Sequence, residues 1–177
     1  MQISPDYELI KPIFQGERTI LYRAIHKQSG QNVIIKTLRS DFPTASEMAR
    51  LTREYEIGKS VDIPGIVKPL SLPKYHNTIA LVMEDFDGEP LSTYLPLFRQ
   101  SLPVFLRAAI QLAKIVGEIH QKYVIHKDIK PNNIILNMDK QIMKLGDFSI
   151  SSFARERQEM LDPLLLEGTL SYMSPEQ

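Results

Sequence analysis

Between residues 124 and 134 the chain reads Val124-Ile125-His126-Lys127-Asp128-Ile129-Lys130-Pro131-Asn132-Asn133-Ile134. A carboxylate (Asp128), an ammonium group (Lys130) and an amide (Asn133) thus fall within six residues, between a helix-like stretch and an apolar run. They offer a proton acceptor, a fixed positive charge and a neutral oxygen donor. Downstream, Gly146-Asp147-Phe148 adds a second carboxylate, and upstream Lys36 ends the apolar run Val33-Ile34-Ile35. Glu54 falls on the inward face of a predicted helix, among Leu51, Gly58 and Val61. An unpaired buried acid is expensive, so Glu54 requires a buried cation, and Lys36 can supply it. A polar surface turn around 128 and a strand-end charge at 36 are the plain alternatives.

The segments that must position these groups are of two kinds. Tyr7 to Phe14, Thr19 to His26 and Asn32 to Leu38 are strand-like, with Gly16 and Ser29-Gly30 as turn signals. Thr44 with Glu47 three residues on is a capping box opening the helix that carries Glu54. Ile66 to Leu72 and Ile79 to Glu84 read as two further strands, which predicts a five-stranded antiparallel first lobe with one helix. The second half turns helical: Ser101 caps a helix with Pro103 in its first turn. Phe105, Ala109, Leu112, Val116 and Ile119 give that helix one apolar stripe, read as core packing. Ile134 to Leu136 and Ile142 to Leu145 are short apolar runs, and an irregular segment runs from Asp147 to the end.

Bulk properties narrow the function classes. The 177 residues are 43% hydrophobic and 24% charged, in the range of ordinary globular proteins. The formal net charge is zero, so no global field favours nucleic acid or an anionic membrane, and neither is expected as a partner. Without cysteine there are no disulfides or thiolate metal sites, which suits a cytoplasmic protein. No signal peptide is read at the start, and the apolar stretch from Leu102 to Ile119 is broken by Arg107, Gln111, Lys114 and Glu118, so no membrane insertion is expected.

Taken in order, these motifs resemble the eukaryotic-type protein kinase domain across essentially the whole chain. His126 to Asn133 is similar to its catalytic loop, Lys144-Leu145-Gly146-Asp147-Phe148-Ser149 to its D-F-G metal motif, and Val33 to Lys36 to its V-A-I-K strand. Leu81-Val82-Met83-Glu84-Asp85-Phe86 resembles the approach to the hinge, and Glu167 to Glu176, with Ser174-Pro175-Glu176 for A-P-E, the end of the activation segment. The resemblance implies an α+β, two-lobed fold: an N-lobe over 1–84, a hinge at 85–88 and a partial C-lobe over 89–177. It implies ATP and Mg²⁺ as cofactors and a protein hydroxyl as substrate. Asp128 would accept the hydroxyl proton, and Lys130 would balance the charge of the moving phosphoryl group. Lys36 would grip the α- and β-phosphates, held by Glu54. Asn133 and Asp147 would hold the metal through hard oxygens. Gly16, Leu21, Ile34 and Ile135 would line the nucleotide site. Glu84 and Phe86 would bond adenine through their backbone, with Met83 as gatekeeper. Lys130 together with Thr169 resembles the serine/threonine branch.

Several positions depart from the family pattern. One glycine of three, Gly16, survives in the nucleotide loop, where Phe14 and Thr19 should weaken the cradle. Ile34 replaces a small residue, Gly58 a large apolar one, Ser149 a glycine, and Lys127 an arginine that would pair bidentately with a phosphate. None deletes a catalytic charge, so kinase activity is expected, with a pseudokinase interaction module as the alternative. The eroded loop, His126-Lys127-Asp128-Ile129 and Glu167 to Tyr172 resemble the kinase domains that lead large bacterial hybrid sensor proteins. That implies two-component or stress signalling and further signalling domains C-terminal to this one. The family's second lobe continues past the Ser-Pro-Glu motif, so this piece by itself is expected to be marginally stable and inactive.

Overall fold

The computed structural model describes residues 5–154 and 168–174; Glu167, Pro175 and Glu176 of the predicted activation-segment ending lie outside the described residues. The chain divides into two units, one formed by 1–59 and 68–86, the other by 60–67 and 87–177.

The first unit is built on β1 (Tyr7–Gln15), β2 (Thr19–His26), β3 (Gln31–Leu38), β4 (Pro69–Ser71), β5 (Lys74–Tyr75) and β6 (Thr78–Glu84), with α1 (Ala45–Val61) between β3 and β4. The strands run antiparallel in the order β1-β2-β3-β6-β4, and β5 pairs with β6. The β2–β3 turn closes on Gly30, whose φ of 68° suits a residue without Cβ and whose N–H donates to the His26 carbonyl at 2.8 Å. Register sorts the side chains onto two faces. Arg23 lies opposite Ile34 and Ile34 opposite Met83, while Leu21 lies opposite Lys36 and Lys36 opposite Leu81. The other face carries Ala24, Val33, Ile35, Ala80 and Val82, a buried core against which Tyr7, Leu9, Tyr22 and Tyr75 pack. The expected strand from Ile66 is shorter, because Ile66 bridges Leu145 of the second unit instead.

The capping box forms at α1: Thr44 N–H donates to Glu47 Oε2 at 2.8 Å, and Glu47 N–H donates to Thr44 Oγ1 at 3.2 Å. Leu51, Ile57 and Val61 are buried along the helix, and Glu54 with them. Gly58 has a packing reason. A Cβ there would come within 2.8 Å of the Pro69 ring, so proline fills the space beside the helix that a side chain at 58 would need.

The second unit holds α2 (Leu95–Gln100), α3 (Leu102–Gln121), β7 (Glu89–Pro90), β8 (Val124–Ile125), β9 (Ile134–Asn137), β10 (Ile142–Leu145) and β11 (Ser152–Phe153). They form a β10-β9-β7 sheet and a β11-β8 pair, both antiparallel. Ser101 stands at the N-cap of α3 without a side-chain cap bond; the first helical bond is Phe105 N–H to the Ser101 carbonyl at 3.0 Å. The buried stripe of α3 matches the expected one in part: Ile119 is buried and Leu112 and Val116 are partly buried. Ile115 and Ile119 are its buried residues, whereas Phe105 is 50% exposed and Ala109 is exposed. Apolar residues on more than one side of this helix fit two adjacent stripes, and packing chooses between them. Ile115 presses so closely on Gly65 that a Cβ there would meet it at 2.6 Å.

Gly58→Leu, which installs the large residue the family pattern calls for, is expected to lower the thermal midpoint. Overpacking against Pro69 costs about 1–3 kcal/mol, more than the roughly 1 kcal/mol gained in helix propensity. A raised midpoint would show that the Pro69 contact yields freely.

Candidate active site

In the first unit the chemistry centres on β3 and α1. Lys36 Nζ donates to Glu54 Oε2 at 2.7 Å, and both side chains are buried. The two groups neutralise each other where neither could stay charged alone. Leu21, Ile34 and Met83 share the sheet face of Lys36. Glu84 follows Met83 and lies opposite Val33, on the other face: its N–H donates to the Lys68 carbonyl at 3.0 Å, and its Oε1 accepts the Lys68 N–H at 2.8 Å. Phe86 is the last residue of this unit. In the turn between β1 and β2, Gly16 N–H donates to the Thr19 carbonyl at 2.9 Å, and Arg39 Nη1 donates to the Gly16 carbonyl at 3.3 Å. A Cβ on Gly16 would touch the Phe14 ring at 3.0 Å, so Phe14 packs over the one surviving glycine.

In the second unit four residues close a hydrogen-bonded ring. His126 Nε2 faces the Gly146 carbonyl at 3.0 Å, and the Asp128 N–H donates to His126 Nδ1 at 3.3 Å. Gly146 N–H donates to the Asn133 carbonyl at 2.8 Å. Asn133 Nδ2 donates to the Asp128 carbonyl at 2.8 Å and to Asp128 Oδ2 at 2.9 Å. Because Nδ1 accepts, the network assigns the proton to Nε2, which donates to Gly146. Burial lowers the His126 pKa from its ordinary 6.5, opposed by the Gly146 carbonyl and by Asp147 and Asp128. The ring stacks edge-on against Phe148 at 4.8 Å between centroids, and Ser151 Oγ donates to the His126 carbonyl at 3.0 Å.

Asp128 is thereby held at both oxygens. Lys130 Nζ donates to Oδ2 at 2.6 Å and Thr169 Oγ1 donates to Oδ1 at 2.7 Å, while Lys130 also donates to Thr169 Oγ1 at 2.9 Å. Both Asn133 amide hydrogens point at Asp128, so its amide oxygen is the atom left to meet a cation. Asp147 follows Gly146 with φ of 64°, and Lys127 precedes Asp128 with φ of 68°, left-handed positions that bend the chain on either side of the ring. Ser149 is not in the left-handed region, so a side chain fits there without strain. An amide oxygen at Asn133 and a carboxylate at Asp147 are hard donors of the kind Mg²⁺ takes, and the residues fit such an ion. Ile135 lies on β9, opposite Lys144 and Pro90.

Of the groups read from sequence, Gly16, Leu21, Ile34, Lys36, Glu54, Met83, Glu84 and Phe86 belong to the first unit. Asp128, Lys130, Asn133, Ile135 and Asp147 belong to the second. Sequence reasoning assigned no role to His126, although a lone histidine after the apolar Val124-Ile125 pair was a sign of burial. It also missed an ion pair of the first unit, Arg23 Nε to Asp85 Oδ2 at 2.7 Å, signalled only by an arginine inside an apolar strand.

The family model for the protein kinase domain matches residues 7–177. The chain is 26% identical to mitogen-activated protein kinase kinase 2 of Arabidopsis thaliana over 97% of its own length and 47% of the relative's. It is 30% identical to the serine/threonine-protein kinase PrkC of Bacillus subtilis over 99% of the chain and 27% of that protein. It is 31% identical to an Aurora kinase of Schizosaccharomyces pombe over 96% of the chain and 47% of that protein. The chain therefore spans about half or less of the length of these relatives.

Two stability experiments follow from this geometry. Lys36→Met leaves Glu54 buried without its cation and is expected to cost about 3–5 kcal/mol by chemical denaturation, whereas adding Glu54→Met should recover most of it. A double variant no better than the single would mean the pair is not the source of the loss. His126, with its pKa lowered in the folded state, holds its contribution above the unfolded value of 6.5 and loses it as the pH falls toward the folded value. Stability should therefore decline from pH 7 to pH 5, less steeply in His126→Asn. An unchanged slope would assign the decline to other groups.

Proposed function

The chain belongs to the protein kinase domain family, and on that premise we propose that it is an ATP- and Mg²⁺-dependent protein serine/threonine kinase. The observation that carries this reading is the setting of Asp128. A hydroxyl, that of Thr169, already donates to Oδ1 at 2.7 Å, while Lys130 and Asn133 hold Oδ2. A carboxylate has about four acceptor sites, so a substrate serine or threonine can present its O–H to the same group. Asp128 then orients the hydroxyl and takes its proton as the oxygen bonds to the γ-phosphorus. The bond from that phosphorus to the β–γ bridging oxygen breaks, and ADP leaves with the electron pair. Lys130 neutralises charge that develops on the moving group, and the transition state asks for little beyond such positioning and positive charge. Lys36, fixed by Glu54, is suited to the nucleotide's α- and β-phosphates. When bound, Mg²⁺ on Asn133 and Asp147 would shield phosphate charge. The bacterial serine/threonine kinase among the relatives, with the resemblance of His126 to Ile129 to bacterial sensor kinases, supports a role in bacterial signal transduction in the cytoplasm, where ATP is available.

One observation favours a second reading, a pseudokinase. The Gly16 N–H is turned to Thr19 and Phe14 covers the glycine, so the loop is closed on itself and presents less backbone to a phosphate.

Thermal shift with ATP–Mg²⁺ on the natural full-length protein separates the two. The kinase reading expects stabilisation that Lys36→Met and Asp147→Asn abolish, and phosphotransfer that Asp128→Ala lowers about a thousandfold. A folded protein with no shift at saturating nucleotide rules out catalysis. A shift without phosphotransfer favours the pseudokinase.

A further inference from the structure

Arg23 projects from β2 onto the sheet face of Leu21, Ile34, Lys36 and Met83, the face of the residues proposed above to meet the nucleotide. A charged side chain there needs a reason. Its guanidinium lies against one carboxylate: Nε is 2.7 Å from Asp85 Oδ2, close but not aligned for a hydrogen bond, and Nη2 donates to Asp85 Oδ1 at 3.4 Å. The Asp85 side chain is 5% exposed and that of Arg23 20%, so the pair is largely removed from water. Asp85 sits between Glu84 and Phe86, whose backbones are the proposed adenine contacts. Glu84 is itself pinned to Lys68 through both its N–H and its carboxylate. The 84–86 segment is thus fastened from two sides, to the β4 side by Glu84 and to β2 by Asp85.

We propose that Arg23 and Asp85 are positioning residues for nucleotide binding. Their ion pair fixes the base-holding segment against β2, so that Leu21 and the 84–86 backbone are preset relative to each other. The pair is a close, largely buried charge contact, and separating it would leave each charge uncompensated, so it resists displacement of either segment. Presetting a site raises affinity by removing the cost of ordering it on binding. This chain has reason to preset the base end, because its nucleotide loop retains one glycine of the family's three and has Phe14 packed over it. The inference rests on the kinase reading and adds to it a pair that none of the family motifs contains.

The test measures ATP affinity and steady-state kinetics on the full-length protein and on Arg23→Gln, Asp85→Asn and the double variant. Each single change is expected to raise the ATP Kd about fivefold, with the change in KM larger than that in kcat. The double variant should bind no more weakly than either single, because both remove the same interaction. Arg23→Lys keeps the charge on a shorter side chain; it should fall between wild type and Arg23→Gln, and it serves where the neutral variants fail to fold. Wild-type affinity in all variants, or losses that add in the double, would overturn the proposal while leaving the kinase reading intact. Failure of the wild type itself to bind ATP would overturn both.

Discussion

The second unit depends on a neutral histidine. His126 accepts from the Asp128 N–H and donates to the Gly146 carbonyl, and through Asn133 the bonds return to Asp128. Each member of this ring uses a donor and an acceptor on different partners, so removing one proton acceptor opens the whole cycle. A protonated imidazole would set a second N–H against the Asp128 N–H, and burial disfavours that charge. The ring carries no reactive atom of its own. Its work is to bring the loop at 126–133 and the turn at 146–147 together, so that Asp128, Asn133 and Asp147 arrive as one group.

The first unit solves a different problem: it must hold an ammonium group in a buried place. A sheet that gives one face mainly to the apolar core can carry buried charge on its other face only where a partner comes from outside the sheet. Glu54 comes from α1 to Lys36, and Asp85 from beyond β6 to Arg23. The two ion pairs occupy neighbouring rows of the same face, joined through β3. Both pairs are largely buried, and both persist because each charge would be costly alone.

The positions that depart from the family pattern find local physical accounts. Gly58 is small because Pro69 fills its space, and Ser149 is tolerated because the left-handed residue of its turn is Asp147. Phe14 and Thr19 act otherwise. They close the loop around Gly16, where the family pattern has an open glycine-rich turn.

Local sequence was enough for the strands from Tyr7 to Leu38, the capping box at Thr44 and Glu47, and the pairing of Lys36 with Glu54. Periodicity and the cost of an unpaired buried charge both act over a few residues or make a single demand. The family resemblance added roles for Asp128, Asn133 and Asp147 by order and spacing. Other features depended on what lies across the fold. On α3 the expected Ile119 is buried, but Ile115 joins it where it packs against Gly65, while Phe105 is exposed. The tautomer of His126 follows from Gly146, twenty residues away in the chain, and the partner of Arg23 lies sixty-two residues away. A hydrogen bond or ion pair between distant residues leaves no period in the sequence, so the tertiary structure alone decided which groups meet.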